Sequence, residues 1–96
     1  MQIRHDEKKH SFIATSDSGE LMGTIIYAPK DGNSIYATHT VVEDKFQGHG
    51  VGGFLLNAMV EHARNEGYCI IPLCSFVIDA FKRHPAKYSD VMAEEE

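Results

Sequence analysis

The stretch Gln47-Gly48-His49-Gly50-Val51-Gly52-Gly53 separates a β-branched segment from an amphipathic one. It places four glycines within six residues, a density that would destabilise the interior of a helix or a strand. At a strand-to-helix junction the same glycines free the backbone to wrap around an anion. The N–H groups and the positive dipole end of the following helix then attract negative charge. The stretch therefore predicts a loop that holds a phosphate group.

The segment before this loop is predicted to be β structure with short turns, which favours antiparallel hairpins. Ile3–His5 is a candidate for the start of a strand, and clearer strands are expected at His10–Thr15, Leu21–Tyr27 and Ser34–Val42. Turns are expected at Ser16–Glu20 and Pro29–Asn33. Ser34–Val42 is predicted to be the longest and central strand, because both of its alternating faces carry bulky side chains. One of those faces is expected to present Ile35, Ala37, His39 and Val41.

The segment after the loop predicts helix, strand and helix. The spacing of three and four residues predicts that one helical stripe packs on the sheet, formed by Val51, Phe54, Leu55, Ala58, Met59, His62 and Ala63. Gly67 is expected to end this helix in a left-handed conformation. Tyr68–Cys74 is apolar on both faces, as a buried parallel strand would be, and Pro72 should interrupt its pairing. A second helix should begin at Cys74 or Ser75 and stop at Pro85.

Length, charge and the distribution of apolar residues limit the kind of protein that this chain can be. The 96 residues predict a single domain over 1–96, with a frayed acidic tail at 92–96. A formal charge of −5 argues against a nucleic-acid partner. The chain has no apolar run long enough to cross a membrane, and its N-terminus is too polar for a signal peptide, so we expect a cytoplasmic protein without a membrane partner. Cys69 and Cys74 are expected to be free thiols, and the His and Cys spacing predicts no metal.

Two familiar phosphate-binding motifs do not fit the glycine loop. Gly48, Gly50 and Gly53 satisfy G-x-G-x-x-G, but five residues separate them from Val42, and Tyr68–Cys74 carries no acid for a ribose hydroxyl. Antiparallel hairpins upstream also argue against a doubly wound sheet. A P-loop is excluded because no Lys-Ser/Thr pair follows the glycines.

The loop instead resembles a signature of the GNAT superfamily of acetyl-CoA-dependent N-acetyltransferases. Gln47-x-x-Gly50-x-Gly52 is similar to that superfamily's Q/R-x-x-G-x-G/A. His39-Thr40-x-Val42, the Phe46-Gln47 pair, Pro72-Leu73-Cys74-Ser75-Phe76-Val77 and His84-Pro85 are similar, in the same order, to small bacterial-type GNAT proteins of under a hundred residues. The resemblance covers roughly residues 10–92.

The resemblance implies a minimal GNAT fold, a mixed α/β sheet in which antiparallel strands precede a strand, pyrophosphate loop, helix, strand and helix. It also implies that the protein binds coenzyme A and transfers acetyl from acetyl-CoA to an amine. The residues implied to bind the coenzyme are Val41, Val42, Gln47, Gly48, His49, Gly50, Val51 and Gly52.

The catalytic residues depart from the pattern of larger members. Those members often have an Asn at the start of the last helix and a proton-donating Tyr seven residues later, whereas this chain has Cys74 and Phe81 there. We expect Cys74 to have a catalytic or acceptor-site role, or to be a small buried side chain. His39 and Glu43 are rival candidates for the base. Tyr88 is a further candidate for the missing acid.

The chain also lacks the segments that usually shape the acceptor pocket in larger members. The resulting open side favours a peptide or protein acceptor over a small amine. The sequence does not identify the acceptor itself. Two alternative functions stay open: an acyl-CoA-binding or sensing module without transfer activity, and a self-acetylating protein centred on Cys74. An uncovered sheet edge is compatible with a monomer or a weak dimer.

Overall fold

The computed structural model describes residues 1–92, which form one five-stranded sheet and three α-helices. The strands are β1 (Gln2–Asp6), β2 (Ser11–Thr15), β3 (Leu21–Asp31), β4 (Ser34–Val42) and β5 (Cys69–Pro72). The helices are α1 (Val51–Glu66), α2 (Ser75–Arg83) and α3 (Pro85–Tyr88), and a 3-10 turn spans Asp44–Phe46. The strands lie in the order β1-β2-β3-β4-β5, antiparallel except for the parallel pair β4 and β5. This arrangement confirms the mixed α/β fold predicted from the sequence.

The predicted acidic tail lies outside the described residues, apart from Met92. Met92 forms a single parallel bridge with Ile70.

The longest strand is β3, so the prediction that β4 is the longest was wrong, while β4 is an interior strand between β3 and β5. β3 has 11 residues and β4 has 9. The expected turn at Pro29 was placed too early, because β3 continues through Pro29 and ends at Asp31. The carboxylate of Asp31 accepts hydrogen bonds from the Asn33 amide at 2.8 Å and the Ser34 hydroxyl at 2.9 Å, which closes a tighter hairpin. Pro29 is tolerated because the pairing is irregular there.

A bulge in β4 breaks the alternation that the sequence suggested. Ile26 pairs with His39 and Tyr27 with Ala37, so Thr38 is the extra residue opposite β3. The Thr38 hydroxyl donates a hydrogen bond to the Ile26 carbonyl oxygen at 3.1 Å, which holds the bulge.

The bulge changes which side chains of β4 face α1. Gly23 lies beneath α1, and its partner across the strands is Val42. Because cross-strand partners share a face, Thr40 and Val42 lie on the α1 face together with Ala37. The expectation that His39 and Val41 share a face with Ile35 and Ala37 was therefore wrong.

Helix α1 packs closely on the sheet because Gly23 has no side chain. A Cβ at Gly23 would lie 3.1 Å from a methyl of Val51 and 3.3 Å from one of Leu55. Phe54 was predicted to face the sheet but is 51% exposed. The buried arc instead includes a second row at four-residue spacing, and the buried residues are Val51, Gly52, Leu55, Leu56, Met59, Val60 and Ala63.

Helix α1 has a glycine in the left-handed backbone conformation at each of its ends. Gly50 caps the first turn with φ of +76° and Gly67 follows the last turn with φ of +75°. Gly67 donates its amide to the carbonyls of Ala63 and Arg64, as predicted for a C-cap. Both positions favour glycine because an L-residue is strained in this conformation.

An aromatic cluster joins β1 to the C-terminal half of α1. The His5 ring stacks on Phe12 at 4.2 Å between centroids and meets the His62 ring edge-on at 4.5 Å. Burial raises the pKa of Tyr27, and its hydroxyl is hydrogen-bonded to Nε2 of His5 at 2.6 Å. Burial, followed by the nearby His62, lowers the pKa of His5 below 6.5, although Glu7 and Asp6 oppose this shift and His10 adds to it.

This cluster predicts that acid destabilises the fold. Because the folded-state pKa of His5 lies below its unfolded value of 6.5, the unfolded chain binds more protons as the pH falls below 6.5. The free energy of unfolding, measured by urea denaturation, should therefore decrease between about pH 7.5 and about pH 5.5. His5→Phe should reduce this dependence, whereas His84→Gln, at an exposed position, should not. Equal pH dependence in wild type and His5→Phe would contradict the assignment.

The positive φ of Gly50 predicts a stability difference between two neighbouring glycines. Gly50→Ala should lower the free energy of unfolding by about 1–2 kcal/mol, because alanine is strained in the left-handed region. Gly53→Ala is the matched control: its backbone is ordinary, and no atom lies within 4 Å of the new Cβ. It should raise the free energy of unfolding by about 0.5–1 kcal/mol. Urea denaturation of both variants measures the difference, and an unchanged Gly50→Ala would refute it.

Candidate functional site

A gap in the sheet opens where β4 extends beyond the end of β5. Their pairing ends at Ala37 and Pro72, while β4 continues for five residues to Val42. Pro72 has no N–H to continue the ladder, and the amides of Leu73 and Cys74 both donate to the Ala37 carbonyl at 3.0 Å. The chain then turns into α2, so residues 38–42 of β4 have no strand beside them on this side. The predicted interruption at Pro72 is confirmed.

The glycine loop begins at the end of this exposed part of β4. Gly48 and Gly50 have φ of +86° and +76°. The first amide that donates a hydrogen bond within α1 is that of Phe54, to the Gly50 carbonyl at 3.1 Å. Within residues 1–92, the amides at positions 48–53 donate to no backbone or side-chain acceptor. They form a row of six N–H groups at the positive end of the α1 dipole.

These elements enclose a cleft of about 420 Å³, which we call the loop cleft. Six of the eight predicted coenzyme-binding residues line it: Val42, Gln47, Gly48, Gly50, Val51 and Gly52. Val41 and His49 do not line it. Val41 is 49% exposed and lies on the other face of β4, while the His49 ring meets Phe46 edge-on at 6.4 Å. The Gln47 side chain turns back to donate to the Val42 carbonyl at 3.3 Å.

Four residues of the cleft were assigned no binding role from the sequence: Thr40, Phe46, Gly53 and Phe76. Thr40 lines it because the bulge at Thr38 changes the facing of the strand, and nothing in the sequence marks a bulge there. Phe76 lies in the first turn of α2, and a Cβ at Gly52 would come within 2.9 Å of its ring. Gly52 therefore lets α1 and α2 approach each other at the cleft.

Cys74 caps the N-terminus of α2, and its Sγ lies 3.3 Å from the Thr40 hydroxyl oxygen. Burial raises the pKa of the Cys74 thiol, but the Thr40 hydroxyl and the backbone N–H groups of Val77, Phe76 and Thr40 outweigh that effect. The net result is a pKa below the usual value for cysteine. Because its pKa is lowered, this half-buried thiol gives up its proton more readily than an ordinary cysteine. A larger fraction of it is then present as the nucleophilic thiolate.

The two candidate bases have different surroundings. His39 is exposed and lies on the face of β4 opposite Thr40. Glu43 is also exposed, and its amide donates to the Met22 carbonyl at 2.9 Å. Glu43 lines a second cavity, of about 490 Å³, which also contains Val41 and shares Val42 and Phe46 with the loop cleft.

Tyr88, the candidate acid, and Phe81, which stands where larger members have their proton-donating Tyr, both pack in the core. Phe81 and Tyr88 are 3% and 4% exposed, and their rings pack at 5.0 Å. Neither lines the loop cleft.

The described part of the chain carries two further observations. Among residues 1–92, no group of three or more His, Cys, Asp or Glu side chains is arranged to hold a metal ion. No helix in that range has the length and apolar character needed to cross a bilayer.

The sequence matches one family model over most of its length. Residues 11–91 match the model described as GCN5-related N-acetyl-transferase. A search of curated proteins gives no match to this chain.

Solved structures with the same fold include one that spans nearly the whole chain. It is the solution NMR structure of a GCN5-like protein from Staphylococcus aureus, 35% identical, with a TM-score of 0.77, covering 99% of this chain and 90% of that one. A GNAT family acetyltransferase from Elizabethkingia anophelis with acetyl-CoA bound is 23% identical, with a TM-score of 0.63 over 78% of this chain and 51% of that one.

A third match is the Escherichia coli GNAT family N-acetyltransferase in complex with CoA, which is 22% identical with a TM-score of 0.60. It covers 66% of this chain and 38% of that one. The last two structures share the fold at low identity, whereas the family model covers this chain from β2 to the end of the described helices. The chain belongs to the GCN5-related N-acetyltransferase family.

Proposed function

We propose that this protein binds acetyl-CoA in the loop cleft and transfers the acetyl group to an amine. The observation that carries the proposal is the set of unpaired amides at positions 48 and 50–53, which line the loop cleft at the N-terminus of α1 and beside the open edge of β4. Support also comes from the fold, since the Elizabethkingia anophelis and Escherichia coli structures hold acetyl-CoA and CoA.

The loop would bind the diphosphate of the coenzyme through its backbone. Gly48 and Gly50 adopt left-handed conformations, and backbone that alternates in this way can form a concave anion site of N–H groups. The α1 dipole adds a favourable interaction with negative charge. Among residues 1–92 no lysine or arginine lines the loop cleft, so backbone N–H groups would supply the main attraction there.

The open edge of β4 would bind the pantetheine arm and stabilise the reacting carbonyl. The Thr40 amide is directed to the side of Cys74, and amides two residues apart point the same way along a strand. Thr40 and Val42 therefore present N–H groups to the cleft, where they could hold the oxyanion that develops as the amine attacks the thioester.

The transfer forms a C–N bond and breaks a C–S bond, and it needs two proton transfers. We assign the loss of the amine proton to Glu43 and the protonation of the departing thiolate to Cys74. Glu43 is preferred to His39 because it lines a cavity that shares Val42 and Phe46 with the loop cleft. Cys74 is preferred to Tyr88 because the tyrosine is packed against Phe81 outside the cleft.

The role of Cys74 is tested by Cys74→Ser, with Cys69→Ser as the matched control. A panel of alkylamines and lysine-containing peptides is assayed for release of free CoA from acetyl-CoA. We expect kcat to fall about 100-fold in Cys74→Ser, because general acid catalysis contributes about 10²–10⁴-fold. Its calorimetric affinity for CoA should stay within about twofold. Cys69→Ser should retain kcat.

Other outcomes of the same experiment separate the alternative functions. Binding of CoA with no release in the presence of any amine would indicate a binding module without transfer activity. A stable acetyl adduct on Cys74, detected by intact mass, would indicate self-acetylation. An unchanged kcat in Cys74→Ser would remove the cysteine from the mechanism.

The role of Glu43 is tested by the pH dependence of kcat/KM. Glu43→Gln should lose the acidic limb of the profile, because the amide cannot accept the proton from the amine. His39→Ala should keep that limb and a kcat close to wild type. The reverse pattern would reassign the base to His39.

A further inference from the structure

The Thr40 hydroxyl is a polar group on an otherwise apolar part of the sheet face beneath α1. Thr40 pairs with Ile25 on β3, and on the same face of β4 it lies between Ala37 and Val42. Ile25 and Ala37 are 0% exposed. Among residues 1–92, the side-chain partner of this hydroxyl is the Cys74 thiol, whose Sγ lies 3.3 Å from the Thr40 oxygen. The hydroxyl therefore has a specific partner in surroundings that would suit a hydrocarbon side chain.

Formation of β4 does not require this hydroxyl. Threonine and valine are both β-branched, and both are favoured in strands because the branched side chain packs well on a pleated surface. A valine at position 40 would keep the same shape, with a methyl group in place of the hydroxyl. What distinguishes the threonine is its hydrogen bond to Cys74. The hydroxyl therefore points to a role at the thiol rather than in the fold.

The contact fixes the position of the sulfur rather than that of the Cys74 backbone. The backbone is already held, because the Cys74 amide donates to the Ala37 carbonyl at 3.0 Å and the Cys74 carbonyl accepts from the Ile78 amide at 2.9 Å. The cysteine side chain can still rotate among three staggered positions. The bond to Thr40 favours the position in which Sγ faces β4, and Thr40 itself lines the loop cleft. The hydroxyl therefore holds the thiol next to the cleft.

A hydroxyl can pair with both protonation states of the thiol. It accepts a hydrogen bond from S–H, and after deprotonation it rotates and donates its own O–H to the thiolate. The largest influences on the Cys74 thiol within residues 1–92 are burial and hydrogen bonds, and the bond with the Thr40 side chain is the largest of those bonds. No charged side chain is among these influences, and His39, next to Thr40 in the chain, lies on the opposite face of β4.

We propose that Thr40 is the positioning residue for Cys74. Its hydroxyl accepts a hydrogen bond from the thiol and, once the thiol proton has passed to the departing CoA thiolate, donates one to the Cys74 thiolate. Solvent then returns a proton to Cys74, and Glu43 releases the amine proton to solvent, so the protons balance over one turnover. The transfer step rests on the proposed function, whereas the pairing of Thr40 with Cys74 can be tested in the free protein.

The pairing is tested by the pH dependence of alkylation at Cys74 in the protein without CoA. Iodoacetamide reacts with the thiolate, and peptide mass spectrometry follows Cys74 and Cys69 separately. Thr40→Val should move the Cys74 curve to higher pH and lower its rate at pH 7 about tenfold, because the thiolate loses a hydrogen bond. The plateau at high pH should not fall, since a thiolate of higher pKa is at least as nucleophilic. Cys69 should react as in wild type.

Two variants control for changes in the shape of the side chain. Thr40→Ser keeps the hydroxyl without the methyl group and should retain the wild-type curve for Cys74. Thr24→Val removes a hydroxyl from a half-buried threonine on the opposite face of the sheet, and it should also leave that curve unchanged. A lower plateau in Thr40→Val would indicate altered packing around the sulfur and would count against the proposal.

The role in transfer is tested by a double-mutant cycle on kcat for the release of CoA. Thr40→Val should lower kcat about tenfold, because Cys74 becomes a weaker acid. Its affinity for CoA should stay within about twofold, since the backbone amide at position 40 is retained. In the Cys74→Ala background the same substitution should cause no further loss, because a positioning residue acts only through its partner.

Two results would overturn the proposal. One is an unchanged Cys74 alkylation curve in Thr40→Val, and the other is a multiplicative loss of kcat in the double variant, which would show that Thr40 acts without Cys74. A wild-type protein that releases no CoA with any amine would instead refute the proposed function, and the alkylation curves would then decide the pairing alone.

Discussion

The parallel contact between β4 and β5 stops at Ala37 and Pro72, and the geometry of the candidate site depends on that stop. Pro72 lacks the N–H that the next ladder bond would need, and the Ala37 carbonyl accepts from both Leu73 and Cys74. These bonds satisfy the backbone locally while β5 gives way to α2. One edge of β4 is thereby left without a neighbouring strand, which a continuous sheet would not allow. The same turn brings Cys74 to Thr40.

Helix α1 connects the two ends of the molecule. Its N-terminus supplies the row of amides at the loop, and its C-terminal half carries His62 into contact with His5 on β1. Gly23 permits the close approach of the helix to the sheet, and Gly52 permits the approach of α2. Small residues at these two contacts thus decide where the loop lies relative to β4 and to Cys74.

Features governed by local chemistry could be predicted from the sequence. The glycine loop, the C-cap at Gly67 and the interruption at Pro72 each follow from the backbone freedom or restriction of one residue type. The helix α1 and its buried row Val51, Leu55, Met59 and Ala63 were predicted. The second buried row was not predicted, because Phe54 and Leu56 are equally apolar in sequence. The covered rows follow from the tertiary contacts of the helix, among them those of Val51 and Leu55 with Gly23 and of Gly52 with Phe76.

The parts that could not be predicted depend on pairing between strands. The register of β3 against β4 places the extra residue at Thr38, and no residue near it has the special backbone preference that would mark a bulge. The facing of His39, Thr40 and Val41 follows from that register. The candidate site could therefore be located from the loop, while the side chains around it could not be assigned to a face of the strand.

The bulge at Thr38 also determines which changes in the length of β4 the site can tolerate. Deleting that one residue would leave Thr40 two positions after Ala37, and therefore still on the face of Ala37 and beside Cys74. Straightening the strand with every residue kept would instead move Thr40 to the opposite face, and Cys74 would lose its hydroxyl partner. In an alignment of relatives, a one-residue gap at this position is therefore compatible with the same arrangement of Thr40 and Cys74.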